Sequence, residues 1–105
     1  MYKGITPTFT LSLPDDVDLE RASNIYVTFA KKNGTTLIQK KNDDLEISEN
    51  VVNVYLTQEE TLSFPEGSVF VQINWTYIEG AKKKRACSQI ATIFWNDNLE
   101  RGVLE

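Results

Sequence analysis

Acidic side chains form the densest clusters of reactive groups in this sequence. They concentrate in residues 15–20 (DDVDLE) and 43–46 (DDLE). Closely spaced carboxylates could chelate calcium, but the first cluster lacks the glycine at the sixth position and the glutamate at the twelfth position of a calcium-binding loop. A glycosidase-type pair of carboxylates would need a cleft, and a small domain with short loops has little room for one. We interpret both clusters as solvated turns and expect no metal ion.

Nucleophilic and metal chemistry finds little support in the other residues. The chain has no histidine, which removes the most common general base and the most common metal ligand. Cys87 is the only cysteine, so it has neither a disulfide partner nor the companions that a zinc site needs. It lies in a strand-like run between Ala86 and Ser88, where we expect a small buried thiol. We predict that the protein is not an enzyme and takes no catalytic residue, cofactor or small-molecule substrate.

The sharpest charge feature is the basic run 82–85 (KKKR). Beside Trp75 and Tyr77, this run could bind nucleic acid through phosphate contacts and base stacking. The chain has a net charge of −4 and a pI of about 4.8, however, whereas a nucleic-acid surface needs clustered positive charge. We interpret the run as a soluble hairpin tip whose charges guard the adjoining strand ends, and we expect no nucleic-acid partner.

The elements that must position these side chains have a period of two. Apolar residues alternate with polar ones, between turn-forming residues, in seven segments: 8–13, 25–30, 36–41, 45–47, 52–56, 68–78 and 85–95. Such spacing predicts an all-β sandwich or small barrel, and we favour an immunoglobulin-like antiparallel β-sandwich of about seven strands. We place 68–78 centrally and expect Trp75 to be largely buried. The 105 residues fit a single domain, 1–105.

Two local signals refine this expectation. Asn33-Gly34 lies between two strand segments and favours a hairpin with a type I′ turn, in which both central residues have positive φ. Thr57 and Glu60 have the spacing of a capping box, in which a threonine caps a helix and a glutamate bonds back. We therefore expect one short helical turn near 57–63, of the kind that crosses between sheets in immunoglobulin-like folds.

The N-terminal residues and the overall hydropathy bear on localisation. Residues 1–14 (MYKGITPTFTLSLP) lack the continuous apolar run that follows the basic start of a signal peptide. No stretch approaches the roughly 18 apolar residues of a membrane span. We expect a chain that is not secreted by a signal peptide, that stays in the cytoplasm unless a dedicated machine exports it, and that has no membrane partner.

Several motifs along the chain together form a pattern that resembles a known family. They are GITPTFT (4–10) with Leu13-Pro14, LTQEETLSF (56–64), Ala86, Ser88, Ile90 and Thr92 in the last strand, and the final Leu104-Glu105. These motifs resemble an uncharacterised family of phage and prophage structural-module proteins of about this length from Gram-positive (Firmicutes) gut bacteria. The resemblance spans nearly the whole chain, but its motifs are structural and bring no functional residue with them.

The resemblance implies a virion structural or assembly protein of the head–tail or tail region. Its partners would be other phage structural proteins or further copies of itself, in the host cytoplasm during assembly and then in the virion. The alternative is a carbohydrate- or surface-binding immunoglobulin-like module, for which Tyr26 and Tyr55 lie on predicted outer faces. A small enzyme or enzyme inhibitor is the third alternative.

Two segments are our candidates for partner binding. Terminal strands often lie outermost, so 8–13 and 85–95 are the expected exposed edges, and an unpaired edge can accept another strand. The uncharged residues of the first edge are Thr8, Thr10 and Ser12. The tail, 96–105, adds the apolar residues Leu99, Val103 and Leu104. Either this tail docks on a neighbouring subunit, or it folds back on its own domain as a short helix.

Overall fold

A computed structural model describes residues 1–105 and contains eight β-strands. They are β1 (Thr8–Ser12), β2 (Asn24–Lys31), β3 (Thr36–Lys41), β4 (Leu45–Ser48), β5 (Val51–Tyr55), β6 (Gly67–Glu79), β7 (Lys82–Cys87) and β8 (Ala91–Trp95). One helix, α1 (Gln58–Leu62), joins β5 to β6, and single 3₁₀ turns lie at Leu19–Arg21 and Asn42–Asp44. No helix is long and apolar enough to span a membrane.

The strands form two antiparallel sheets. The smaller sheet has three strands in the order β1-β5-β4, and the larger has five. In the larger sheet the order is β3-β2-β6, and both β7 and β8 pair with the far side of β6. β8 pairs with residues 67–71 of β6 and β7 pairs with residues 74–79. The predicted all-β class is therefore confirmed, and so are the central position of the long strand and the edge positions of the first and last strands.

The eighth strand arises because the predicted last strand, 85–95, is interrupted. Asn74 pairs with Cys87 and Val71 pairs with Ala91, so the segment that contains β7 and β8 has one residue more than β6 over this stretch. Ser88 fills the break: its N–H donates to the carbonyl of Ile73 (2.8 Å), and its Oγ accepts the N–H of Ile73 (3.0 Å). The extra residue switches the inward face from even to odd positions, as β-bulges do.

The core lies between the two sheets. Inward-facing residues recur at every second position of β2, β5 and β6, as a half-buried sheet requires. Fourteen buried apolar residues form one cluster: Leu13, Leu19, Ile25, Val27, Phe29, Leu45, Val52, Val54, Leu56, Phe64, Val69, Val71, Ile73 and Trp95. Burying a side chain of this kind stabilises a fold by about 1.5–3 kcal/mol before entropy is counted.

The tryptophan at the centre of the core is Trp95. Its side chain is 0% exposed and its ring centroid lies 5.1 Å from Phe64 and 6.4 Å from Phe9. Trp75, which we expected to be largely buried, is partly buried and packs against the edge of this core instead of lying at its centre. The one-residue shift at Ser88 turns Trp95 inward, whereas Trp75 faces inward on β6 in any case and lies in a groove beside β1 that leaves it partly exposed.

The helix between the sheets confirms the predicted capping box. Thr57 Oγ1 accepts the N–H of Glu60 (3.2 Å), and Glu60 Oε1 accepts the N–H of Thr57 (2.9 Å). Glu60 also forms an ion pair of 2.6 Å with Lys40 of β3, which ties the helix to the larger sheet. Burial raises the pKa of Glu60, but the bonds from Lys40 and Thr57 outweigh it and hold this pKa below its ordinary value.

The β2–β3 hairpin is confirmed, but its predicted turn type is wrong. Only Gly34 has a positive φ, 90°, whereas a type I′ turn needs positive φ at Asn33 as well. Lys31 N–H donates to the carbonyl of Thr35 (2.9 Å), and Gly34 N–H donates to the carbonyl of Lys31 (2.9 Å). This pattern belongs to the three-residue loops that end in a left-handed glycine, and a register shift follows in β2.

Candidate partner-binding site

The outer strands of the two sheets differ in how they are protected against pairing with another chain. β3 carries Lys40 and Lys41, β7 carries the exposed run Lys82–Arg85, and β4 is only four residues long and contains Glu46. Short length and charge are the common protections of sheet edges. β1 has neither lysine nor internal proline, and its sequence TFTLS is uncharged. β8, with the sequence ATIFW, is also uncharged, but residues 1–3 bond to the backbone beside its end. β1 is therefore the least protected of the edges that no other segment of the chain covers.

The backbone of β1 presents half of its polar groups to solvent. On the side of β5, the carbonyl of Pro7 accepts the N–H of Leu56 (3.1 Å), and the N–H of Leu13 donates to the carbonyl of Asn50 (2.9 Å). Successive residues of an antiparallel strand address opposite neighbours, so the odd-numbered residues of β1 bond to β5. The even-numbered residues, whose N–H and C=O groups point to the free edge, are Thr8, Thr10 and Ser12. The structure places all of these sequence-predicted residues in one exposed row.

A groove runs alongside this edge. Its floor is the inward face of β6, with Val71, Ile73 and Trp75, and its volume is about 650 Å³. One wall is β1 from Thr10 to Leu13, and the other is the interrupted edge of the larger sheet, Cys87–Ala91. Asp16 is the only charged side chain of the lining. The groove is therefore a largely apolar trough between β1, whose even-numbered backbone groups are unpaired, and the break between β7 and β8.

The groove exists because the two sheets differ in width. β1 ends the smaller sheet above β6, whereas β7 and β8 continue the larger sheet one strand further. Inward-facing residues under the smaller sheet are 0–2% exposed, as Val27, Phe29 and Ile73 are. On the last strand Ile93 is only half-buried and Ala91 is exposed. The cover over the larger sheet beside β1 is therefore incomplete at Trp75, Ala91 and Ile93.

At the Trp95 end of the larger sheet, the outer edge is covered by the chain itself. The N-terminal amine donates to the carbonyl of Phe94 (2.6 Å), and the N–H of Lys3 donates to the carbonyl of Asn96 (2.9 Å). Tyr2 forms an isolated parallel bridge to Asn96. Residues 1–3 thus act as a short added strand at the Trp95 end, and the groove at the Trp75 end has no such cover.

Cys87 lies in the wall of the groove. The prediction of a buried thiol is wrong, since Cys87 is exposed and free. It is the last residue of β7 and follows the inward-facing Ala86, so its side chain points to the outer face of the larger sheet. Its position makes it a natural labelling site beside the groove.

The tail forms neither a strand nor a helix. The expectation that it folds back as a short helix is wrong, because residues 96–105 contain no helical turn. It does return to the domain, through two bonds of 2.8 Å between the side chain of Gln58 and the backbone of Leu104. Leu99 is 103% exposed, Val103 49% and Leu104 62%, so these apolar side chains are not part of the core.

Charged contacts hold the start of the tail against the N-terminal segment. Lys3 Nζ lies 3.2 Å from a carboxylate oxygen of Asp97, and Asn98 Nδ2 donates to the carbonyl of Lys3 (3.0 Å). The bond from Lys3 and its positive charge hold the pKa of Asp97 below its ordinary value. The tail therefore begins as part of the covered end of the sandwich.

The remaining candidate groups stay apart from one another. No three His, Cys, Asp or Glu side chains are arranged to hold a metal ion. In the first acidic cluster, Asp18 caps the turn Leu19–Arg21 by accepting the N–H of Glu20 (3.1 Å). Tyr26 and Tyr55 belong to different sheets, so they cannot form one binding platform.

Sequence reasoning identified the β1 edge but missed the groove. The available signal lies in 85–95, where apolar residues occupy both even and odd positions, which agrees with the shift between Ala86, inward in β7, and the odd-numbered inward positions of β8. No protein-family model, curated protein or solved structure matches the chain. The functional conclusion therefore depends on the edge, the groove and the chemistry of their residues.

Proposed function

We propose that this protein is a phage or prophage virion structural or assembly protein of the head–tail or tail region, acting by protein–protein association. The observation that carries the proposal is the uncharged, unpaired edge of β1 beside an apolar groove. Uncharged edges that no segment covers favour pairing with other chains, which soluble proteins usually prevent. The sequence resemblance to phage structural modules supports the choice of partner class.

We further propose that the fold is immunoglobulin-like. Such domains pack one sheet of order A-B-E-D against a sheet that contains C, F and G. The order β1-β5-β4 corresponds to B-E-D, and β3-β2-β6 with β7 and β8 corresponds to C′, C, F and an interrupted G. On this assignment strand A, the neighbour of β1, is missing. Its place coincides with the groove.

Incorporation into particles tests the proposed function. Thr10→Lys places a charge on the open edge, and we expect the copy number of the protein in purified particles to fall by at least about tenfold. Thr36→Lys is the matched control, because it adds the same charge to β3, an edge that already carries lysines, and should leave incorporation unchanged. Deleting residues 96–105 tests the tail separately. A protein that is absent from particles and from assembly intermediates would contradict the proposal.

A second candidate function, carbohydrate or surface binding, has one observation in its favour. Tyr55 is 52% exposed and borders a depression of about 390 Å³ that also contains Asn53, Asp44 and Glu46. An exposed aromatic ring beside amide and carboxylate groups suits a sugar, which offers an apolar face and hydroxyls. Glycan binding that Tyr55→Ala abolishes, with Tyr26→Ala as the control, would favour this function over assembly.

A further inference from the structure

The groove has the shape and chemistry to take one more β-strand. We propose that it binds an extended segment of a partner protein, which pairs with β1 as an added strand and has apolar side chains at alternate positions. This inference rests on the proposed function, because it specifies how the association is made. It commits to a strand from another protein, not to a folded surface or a small molecule.

The backbone of β1 sets the register of the incoming strand. Thr8, Thr10 and Ser12 offer their N–H and C=O groups along the free edge, and none of these groups has a partner within the chain. Pro7 and Pro14 flank β1, so the paired stretch is limited to the residues between them. Main-chain bonds of this kind provide most of the affinity in strand addition.

The walls and floor of the groove determine which side chains the incoming strand can carry. Residues opposite each other in a sheet point to the same face, so partner residues opposite Phe9 and Leu11 would point inward. There they would lie over the floor of the groove beside Ile73, which is already buried, and cover Trp75, which is only half-buried at present. Partner residues opposite Thr8, Thr10 and Ser12 would face solvent. The fitting segment therefore alternates apolar with polar residues and carries no inward charge.

Residues 1–3 and the tail 96–105 do not fill the groove. Residues 1–3 are bound to the backbone of Phe94 and Asn96, and the tail is bound to Gln58 and Lys3. A second copy does not fit either. Its β1 would arrive with its own larger sheet, which extends one strand beyond β1 and would enter the same space. A free extended segment from a different protein meets neither obstacle.

The direct test uses the whole protein and a generic strand as the probe, the peptide acetyl-TVTVTV-amide. Because strand addition relies on the main chain, we expect the peptide to slow amide exchange at Thr8, Thr10 and Ser12 by at least about tenfold. The amides of Phe9 and Leu11, already bonded to β5, are the internal control and should change little. The peptide acetyl-TKTKTK-amide has the same backbone hydrogen bonds without apolar side chains and should bind weakly.

A matched pair of variants tests whether the free edge is the site. Thr10→Pro removes an N–H that points outward and leaves the pairing with β5 in place, so it should abolish the peptide effect. Thr10→Val loses only the side-chain bond of 2.7 Å to Asn53 and should bind the peptide as the wild type does. If Thr10→Pro fails to fold, the exchange pattern of the wild-type protein still decides the matter.

The outcomes separate the strand site from the proposed function. Peptide protection of the outward amides, without incorporation into any particle, would leave the site standing and remove the virion role. Incorporation into particles without peptide protection would leave the role standing and overturn the site. Protection at β7 or at β3, or a dimer formed through β1 in sedimentation, would also overturn the strand proposal.

Discussion

The outer edge of the larger sheet is covered by another segment at one end and open at the other. At the Trp95 end, residues 1–3 pair with the chain after β8, and Phe64 packs on the indole ring. At the Trp75 end, the same edge and β1 border an open groove. The chain thus supplies a covering segment at one end and leaves the other end free. The difference teaches that a small domain need not leave this edge uncovered. The same chain covers the same edge eight residues further along, between the break at Ser88 and the bonds at Asn96.

The test with the largest expected effect on stability replaces each tryptophan in turn. Trp95→Ala removes a ring that is 0% exposed, so we expect it to lower the free energy of unfolding by about 3–5 kcal/mol. Trp75→Ala removes a half-buried ring from the groove floor, and we expect a loss of about 1–2 kcal/mol. Urea unfolding measures both.

Trp95→Phe is the control for the covered end. The indole N–H of Trp95 has no hydrogen-bond partner, so Phe loses ring size but no bond. Its loss should be clearly smaller than that of Trp95→Ala. Equal losses for Trp75→Ala and Trp95→Ala would mean that the groove floor belongs to the core, and the comparison would fail.

The next test concerns the helix at the covered end. Thr57→Ala removes the cap of α1 and should lower the free energy of unfolding by about 1 kcal/mol. Thr57→Ser keeps the hydroxyl that accepts the N–H of Glu60, so thermal unfolding should change little. A similar loss in both variants would show that the hydroxyl contributes nothing to stability.

The smallest effect is the pH dependence of the Glu60–Lys40 pair. The pKa of Glu60 lies below its ordinary 4.5 in the folded protein, so the ionised form stabilises the fold at neutral pH and this contribution is lost as the pH falls through the folded pKa. Glu60→Gln keeps an acceptor for the N–H of Thr57 and should cost about 0.5–1 kcal/mol at pH 7.

The control for this pair is Glu59→Gln, at an exposed residue of the same helix turn. It should leave stability unchanged at every pH. The gap between wild type and Glu60→Gln should close in acid. A gap that persists below the folded pKa would point to packing, and not charge, as its cause.

The sequence predicted the strands well because alternation along β2, β5 and β6 reflects local burial. Its main error about the strands arises from one residue: the extra position at Ser88 splits the last strand and turns Trp95 into the core. The local sequence does not predict such a bulge, because its stability comes from the bonds between Ser88 and Ile73 of β6. The row Thr8, Thr10 and Ser12 could be predicted from the lack of charge. The groove could not, because it depends on the relative width of two sheets.

Hydrogen exchange in the free protein and in assembled particles tests the central claim most directly. In the free protein the outward amides of β1, at Thr8, Thr10 and Ser12, should exchange quickly. On assembly the segment 8–13 should slow by at least about tenfold, while 82–87 of β7, guarded by its lysines, should stay unchanged. Protection of 82–87 with 8–13 still exchanging quickly would contradict the account, because assembly would then proceed through the charged edge.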